Sequence, residues 1–437
     1  MVNRLDTALV RLWGDVVGAV SWLDDRGYGV FEYDRTFLSK GIDVSPIHMG
    51  LDDARNGDGI FSFPSLNRHT FLGLPGLLAD ALPDKFGNSI IDAWLARQGR
   101  DSAGFSPVER LCYTGKRAMG ALEFSPAIIG KYDKSVPVEV SALVDLAQEI
   151  MRERKSLSGN LGGSEKENAD AIMDILRVGT SAGGARPKAV IAMDDKGNVV
   201  SGQARVPKGY DYWILKFDGV SDLELGEPGG YGRIEYAYYL MAGAAGIDMT
   251  ECRLLEENGR AHFMTKRFDR VDGEKLHLQS LCGIAHYDFN MAGAYSYEQA
   301  FSVMRRLRLS RADAVQQFRR AVFNIVARDL DDHTKNISFL MAPDGKWKLS
   351  PAYDVIYSHN PAGRWTNQHQ MTLNGKRDHF TREDLVATAE SISLPKPEGV
   401  IGEVVDAVAR WPEFAKLAGV GAGTIREISD NHRLKLN

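Results

Sequence analysis

Cysteine is scarce in this chain of 437 residues: there are three, Cys112, Cys252 and Cys282, far apart and without a C-x-x-C pair. An odd number at that spacing supports neither a disulfide framework nor a thiolate zinc site. No apolar run approaches the ~18 residues of a membrane span. The opening "MVNRLDTALVRLWGDVVG" places polar residues every few positions, so neither a signal peptide nor a membrane association is expected, and the expected compartment is the cytoplasm. An excess of positive charge is also missing. The net charge is −5, which argues against a dedicated nucleic-acid binder, because counterion release needs a basic face. The Walker A pattern G-x4-G-K-[ST] is absent as well. What remains, at 44% hydrophobic and 25% charged, is the composition of an ordinary globular protein, long enough for two or three domains.

The texture changes along the chain. Residues 8–40 alternate apolar and polar positions around "DDRGYG" and predict short antiparallel strands. After Pro83, Phe86, Ile90, Ile91 and Trp94 fall at helical spacing. A helical run, "EVSALVDLAQEIMRERK", leads into the Gly/Ser-rich "SLSGNLGGSEKENAD", which predicts a loop or domain boundary. Strands are then expected in "KAVIAMDDKGNVVSG" (188–202), "DYWILKFDG" (211–219) and "AHFMTKRFDR" (261–270), with a helix over 232–247. Beyond residue 295 helices dominate. Ser296 with Gln299, and Ser310 with Asp313, have the spacing of capping boxes. The second opens a helix whose apolar face includes Val315, Phe318, Val322 and Ile325, and which stops just before Asp329.

There the sequence reads "DLDDHTKN", with three acids, a histidine, a lysine and an asparagine in eight residues. "ISFLM" and "KWKLS" follow as a predicted hairpin turning at "APDG", and then comes "PAYDV" with Asp354. The order is helix, Asp331-x4-Asn336 loop, hairpin, Asp354. Phosphoryl transfer needs such a set: a carboxylate to accept the proton of the attacking hydroxyl, and an amide oxygen with a second carboxylate to hold Mg²⁺ on the nucleotide. Asp331 is then the base, and Asn336 and Asp354 are the metal ligands. The positive charge that relieves the crowded acids is Mg²⁺, helped by Lys335. A solvated acidic loop and a dinuclear hydrolase using Asp331, Asp332, His333 and Asp354 are the other readings. The second is weaker because the remaining histidines form no H-x-H or H-x-x-x-H pair.

Phosphate contacts have candidates upstream. "VGTSAGGARPK" (178–188) precedes a strand, and Gly183-Gly184 lets backbone N–H groups approach an anion. Lys216 interrupts the apolar strand "WILKF". A lysine there either snorkels to water or reaches phosphates and pairs with a helical glutamate, for which Glu235 is the candidate. The arginines of "MRRLRLSRADAVQQFRR" (Arg305, Arg306, Arg308, Arg311, Arg319 and Arg320) read as solvated helix faces, or as a contact with tRNA, DNA or an acidic partner.

With "SAGGARPK", "WILKFD", "KRFDR", "DDHTKN", "PAYDV" and "LNGKRDHFTREDL" in that order, the chain resembles the HipA-like serine/threonine kinases, toxin components of bacterial toxin–antitoxin modules. The match covers roughly 175–390, and residues 1–125 resemble the family's N-terminal subdomain more loosely. The resemblance implies an ATP- and Mg²⁺-dependent protein kinase of α+β class: a protein-kinase-like bilobal fold with a strand-rich N-lobe, a β-rich N-terminal subdomain and an all-helical C-lobe. The boundaries expected are 1–130 for the subdomain, 131–170 for the helix and loop, 171–275 for the N-lobe and 276–437 for the C-lobe.

Residue by residue, the resemblance makes Asp331 the base and Asn336 and Asp354 the Mg²⁺ ligands. Ser181, beside Thr180, matches an inactivating autophosphorylation site. Ala182, Gly183, Gly184, Ala185, Arg186 and Lys188 fall in the phosphate loop and Lys216 at the ATP lysine. Lys266, Arg267 and Phe268 fall at the hinge beside adenine, and His333 joins the nucleotide-binding set. It further implies an aminoacyl-tRNA synthetase or another translation component as substrate, a helix-turn-helix antitoxin (HipB-like) as partner and DNA only through that antitoxin. The chain departs from the best-known toxin at Arg186-Pro187, where that toxin has Gln-Glu, at Lys266 (Glu) and at Asp332 (Gly). A co-repressor acting with the antitoxin and a small-molecule kinase are the alternative functions.

Overall fold

A computed structural model describes residues 4–97, 99–101, 104–128, 135–153, 186–220 and 230–436. Contacts divide the chain into two units. The first is formed by 1–42, 51–232 and 253–277, the second by 43–50, 233–252 and 278–437.

The first unit holds two antiparallel five-stranded sheets. In the N-terminal sheet, β1 (Thr7–Leu12), β2 (Asp15–Leu23), β3 (Tyr28–Tyr33), β4 (Ile60–Phe61) and β5 (Leu122–Ser125) are ordered β4-β3-β2-β1-β5. The alternation seen in the sequence is the reason. Ala8, Val10 and Leu12 are buried, whereas Thr7 and Leu9 on the other face are exposed. The β1–β2 connection is Trp13-Gly14, both at positive φ (49° and 91°), which the right-handed strand twist favours in a two-residue turn.

The second sheet comprises β6 (Lys188–Asp194), β7 (Val199–Ser201), β8 (Tyr210–Lys216), β9 (Cys252–Glu257) and β10 (Arg260–Lys266), ordered β7-β6-β8-β10-β9. Ile191, Trp213, Leu215 and Met264 pack on Phe86, Ile90, Ile91 and Trp94 of the helix Lys85–Arg97 and on Leu143 and Ala147 of the helix Val140–Glu153. Each of the fully buried Leu, Ile, Met and Phe side chains contributes about 1.5–3 kcal/mol. Two further short strands, β11 (Arg270–Val271) and β12 (Glu274–Lys275), form a ribbon.

The second unit is helical apart from a three-stranded sheet of β13 (His277–Ser280), β14 (Ser338–Met341) and β15 (Trp347–Leu349), ordered β13-β14-β15. β14 and β15 form the hairpin that the sequence predicts, with Gly345 at φ 77° in its turn. The helix Arg311–Ala327 is the axis of the unit. Ser310 and Asp313 close its capping box, and Phe318, Val322 and Ile325 are wholly buried. Tyr238 packs edge-on against Phe323 and Trp411 and donates its hydroxyl to the carbonyl of Ala327 at 2.6 Å. Within the basic stretch, Arg306, Arg311, Arg319 and Arg320 bond the carbonyls of Ile47, Ser393, Ala245 and Ser350, while Arg305, Arg306, Arg308 and Arg311 are exposed. Among the described residues no helix is long and apolar enough to cross a membrane.

Candidate active site

The helix Arg311–Ala327 stops because Arg328 takes the left-handed conformation, φ 61°. The chain then runs through Asp329–His333 and tightens into a short 3-10 turn at Thr334–Asn336. The three acids have separate fates. Asp329 is buried, and both its oxygens accept hydrogen bonds, from the Ser358 hydroxyl at 3.1 Å and the Ile356 amide at 3.3 Å. Burial, then Asp331 and Asp332, push its carboxyl well above the usual range. Asp332 is buried too. It accepts from the Tyr297 hydroxyl at 2.8 Å and the Gln370 amide at 2.7 Å, and its Oδ2 lies 2.9 Å from His369 Nδ1.

Asp331 alone of the three is partly open, its side chain 40% exposed. Its amide donates to Ser358 Oγ at 3.0 Å and its carbonyl accepts from Asn336 Nδ2 at 2.8 Å. With the main chain pinned at both ends, the side-chain torsions are the remaining freedom. One carboxylate oxygen, Oδ1, accepts from the indole N–H of Trp365 at 2.6 Å, with His333 Nε2 at 3.9 Å. Neutral donors (the Ser358 hydroxyl, the Ile356 and Gln370 amides, the Tyr297 hydroxyl and the Trp365 indole) hold the crowded acids. Because Asp332 is fully engaged by Tyr297, His369 and Gln370, it does not share a metal with Asp331, and the dinuclear arrangement loses one of its four ligands.

Asn336 and Asp354 are tied to the same loop. Asn336 gives its amide N–H to Asp331, which leaves Oδ1 as its side-chain acceptor. Tyr353 donates its hydroxyl to the carbonyl of Lys335 at 2.5 Å and bonds Ser338, so the turn carrying Asp354 (φ 54°) is fastened to the loop. One amide oxygen and one carboxylate are hard ligands of the kind that Mg²⁺ takes alongside phosphate oxygens and water, so the donor set fits that ion. Lys335 Nζ lies 5.0 Å from the ring centre of Phe289, and Phe289 and Trp365 flank His333.

In the first unit, strand pairing sets Lys188 of β6 directly opposite Lys216 of β8, and Phe263 of β10 opposite Lys216 on the other side. Residues paired this way share one face of the sheet, where like charges repel. Lys188 is only 6% exposed, and the Lys216 ammonium sits 5.5 Å from the Phe263 ring centre. Two lysines side by side suit an anion with more than one charged oxygen. Arg186 stacks its guanidinium 3.8 Å from the ring centre of Tyr231.

Lys266 is paired with Asp211 at 2.7 Å. The Arg267 side chain is buried in a fork on Asp269, at 2.9 and 2.7 Å, and its amide donates to the carbonyl of Tyr212 at 2.9 Å. Phe268 follows it in the turn before β11. Glu235 is buried, 3% exposed, in the second unit. Thr180, Ser181, Ala182, Gly183, Gly184 and Ala185 lie outside the described residues.

Sequence reasoning missed Ser358, Trp365, Tyr297, His369 and Gln370. They lie 27 to 38 positions from the acids that they hold, and no local spacing signals a partner at that range.

A strand-rich unit bearing paired lysines and a helical unit bearing an Asp-x4-Asn loop are the two halves of a kinase-like fold. Residues 180–411 match the HipA-like C-terminal domain and residues 8–125 the HipA N-terminal domain, so the chain belongs to the HipA-like family. It is similar in structure to HipA of the Shewanella oneidensis MR-1 toxin–antitoxin system, solved with HipB and its operator DNA. The TM-score is 0.65 and the identity 17%, over 97% of this chain and 95% of that one. CtkA, a proinflammatory kinase of Helicobacter pylori, aligns at TM-score 0.33 and 12% identity over 52% of this chain and 88% of its own, a likeness too slight to argue from. In sequence, a Sinorhizobium fredii protein named "Putative kinase Y4mE" is 29% identical over 126 residues. That stretch is 26% of this chain and spans only 30% of the relative's length.

Proposed function

We propose that the chain is an ATP- and Mg²⁺-dependent serine/threonine protein kinase. The observation that carries this reading is the asymmetry of the loop: two of three neighbouring acids are buried and fully bonded, and the third, Asp331, is open with its main chain fixed at both ends. Asp331 accepts the proton of the substrate hydroxyl and orients it for in-line attack. Trp365 and His333 fix which carboxylate oxygen is presented. Asn336 and Asp354 would hold Mg²⁺, which when bound neutralises charge on the phosphates. Lys188 and Lys216 bind the phosphates, Lys335 adds positive charge near the transferred group, and the main chain of Lys266–Phe268 borders adenine. Arg186 and His333 complete the nucleotide contacts.

Within that reading the phosphate loop from Ser181 to Lys188 carries the autophosphorylation site, at Ser181 or Thr180. The substrate is an aminoacyl-tRNA synthetase or another translation component, and the setting is cytoplasmic. The likeness in fold to a HipA solved with HipB and operator DNA supports a small helix-turn-helix protein as partner, with DNA reached through it. The same likeness supports a second reading, a co-repressor that binds the antitoxin without transferring phosphate.

One experiment separates the two: intact-mass spectrometry after incubation with ATP and Mg²⁺, with peptide mapping, beside Asp331→Ala. The kinase reading expects phosphate on the wild type, and a variant that is folded but slower by roughly 10²–10⁴-fold, the usual contribution of a general base. Transfer at the wild-type rate by folded Asp331→Ala would remove Asp331 as base. ATP binding without any transfer, to itself or to a lysate, would favour the co-repressor.

A further inference from the structure

A charged cluster next to the loop plays no part in the proposed reaction. Arg328 closes the helix Arg311–Ala327 at φ 61°, where glycine or asparagine is the usual choice and any other residue bears about 1–2 kcal/mol of strain. The backbone does not call for an arginine there, so the side chain must. Its guanidinium is 6% exposed, and Nη1 lies 3.5 Å from Asp378 Oδ1. Arg433 donates from Nη2 to that same oxygen, which also accepts from the amide of His379 at 2.8 Å. One carboxylate oxygen therefore answers two guanidiniums. Nε and Nη1 of Arg328 and Nη1 of Arg433 are buried without a hydrogen-bond acceptor among the described residues.

Among the described residues, the neighbouring His359, Tyr357 and Asp329 do not supply the missing charge. His359 is kept towards its neutral form by burial and then by Arg328. Tyr357 is kept neutral by burial and then by Glu427. Asp329, the next residue, has both oxygens occupied by Ser358 and Ile356. The helix C-terminus favours a cation by only about 0.3–1 kcal/mol, whereas a buried charge without its counterpart costs several kcal/mol.

We propose that Arg328 and Arg433 form a binding site for a tetrahedral oxyanion, phosphate or sulfate, taken either as the free ion or as a phosphorylated side chain. Two planar forks, with Nε of Arg328 and Nη1 of Arg433 lacking an acceptor among the described residues and Nη1 of Arg328 held only by the 3.5 Å ion pair to Asp378, match the several acceptors of such an ion. The site also connects to the loop. The carbonyl of Arg328 accepts from the amide of Ser358 at 3.3 Å, and Ser358 Oγ takes the amides of Leu330 and Asp331. Occupancy of the site stiffens the segment that carries Asp331.

The test does not depend on catalysis. Thermal unfolding of the full chain is followed with inorganic phosphate at about 10 mM, in parallel with O-phosphoserine, both under saturating ADP and Mg²⁺ so that any nucleotide site is filled. We expect a rise of about 2–4 °C in the wild type and none in Arg433→Gln, with ADP affinity unchanged in that variant. Asp378→Asn removes the competing carboxylate and should bind the ion roughly tenfold more tightly. A shift with both probes assigns the free ion, and a shift with phosphoserine alone assigns a phosphorylated side chain. No shift with either, or equal shifts in wild type and both variants, would overturn the site and leave the donors to water. Should Arg433→Gln not fold, the Asp378→Asn affinity decides.

Discussion

Asp269 in the first unit and Asp332 in the second are both buried carboxylates, and they are held in opposite ways. Asp269 takes a fork of two bonds from Arg267, a third from Arg270 and the amide of Gly120 at 2.7 Å. Burial alone would raise its carboxyl, but the two guanidiniums hold it well below the usual range. Arg270 also reaches the carbonyls of Ala118 and Gly120, so this cluster fastens the segment before β5 to the turn after β10. Asp332 has a phenol, an imidazole and a backbone amide, and its neighbour Asp329 has a hydroxyl and an amide. A structural joint can use full counter-charges. On the proposed reading, in which the loop admits a metal ion and a polyphosphate, neutral donors order it while leaving the local charge for the ligand to balance.

The largest effect should come from breaking the charged joint. Asp269→Asn strands two buried guanidiniums and should destabilise the protein by about 3–5 kcal/mol in denaturant titrations.

Acid should separate groups that are buried neutral from groups that are buried charged. Burial, and secondarily Arg328, lower His432 from 6.5 to about 4. Burial and then His48 lower His286 from 6.5 to about 3. The unfolded imidazoles therefore take up protons first, and stability is lost as pH falls from about 6.5 towards 4, by up to about 3 kcal/mol for His432. His432→Gln should flatten that window in urea titrations. Asp269, whose carboxyl is lowered, should hold its contribution above about 3.8 and lose it only below. If the steep loss in the wild type begins only below pH 4, the histidine assignment is wrong.

A smaller effect is expected from Asp332→Asn, which keeps the shape but disturbs three bonds. It should cost about 1–3 kcal/mol and lower kcat through a looser loop. Smallest is Trp365→Phe, which keeps an aromatic ring and removes the N–H to Asp331. We expect kcat to fall by roughly tenfold with KM for ATP unchanged. A rise in that KM instead would place Trp365 in nucleotide binding.

Much of this architecture is legible from spacing. Alternation marked β1 to β3, and 3.6-residue periodicity marked the helix Arg311–Ala327 down to its capping box and its stop before Asp329. The hairpin β14–β15 was readable from its turn residues. The order of Asp331, Asn336 and Asp354 along the chain was enough to nominate a phosphoryl-transfer loop. The division of labour inside "DLDDHTKN" was not legible, because which acid is buried depends on Tyr297, Ser358, Trp365 and His369, brought in from elsewhere in the chain. Lys216 could be singled out as an oddity in an apolar strand, but its pairing with Lys188 is a matter of register between β6 and β8.

Sequence by itself therefore determined the elements, the family and the candidate chemistry, since helix and strand periodicity, caps and motif order are all local properties of the chain. Tertiary structure alone decided which carboxylate stays open, which are sealed by neutral donors, and that Arg328 and Arg433 meet over one aspartate. Burial and hydrogen-bond partnership across tens of residues are set by packing, and packing is not written in any window of the sequence.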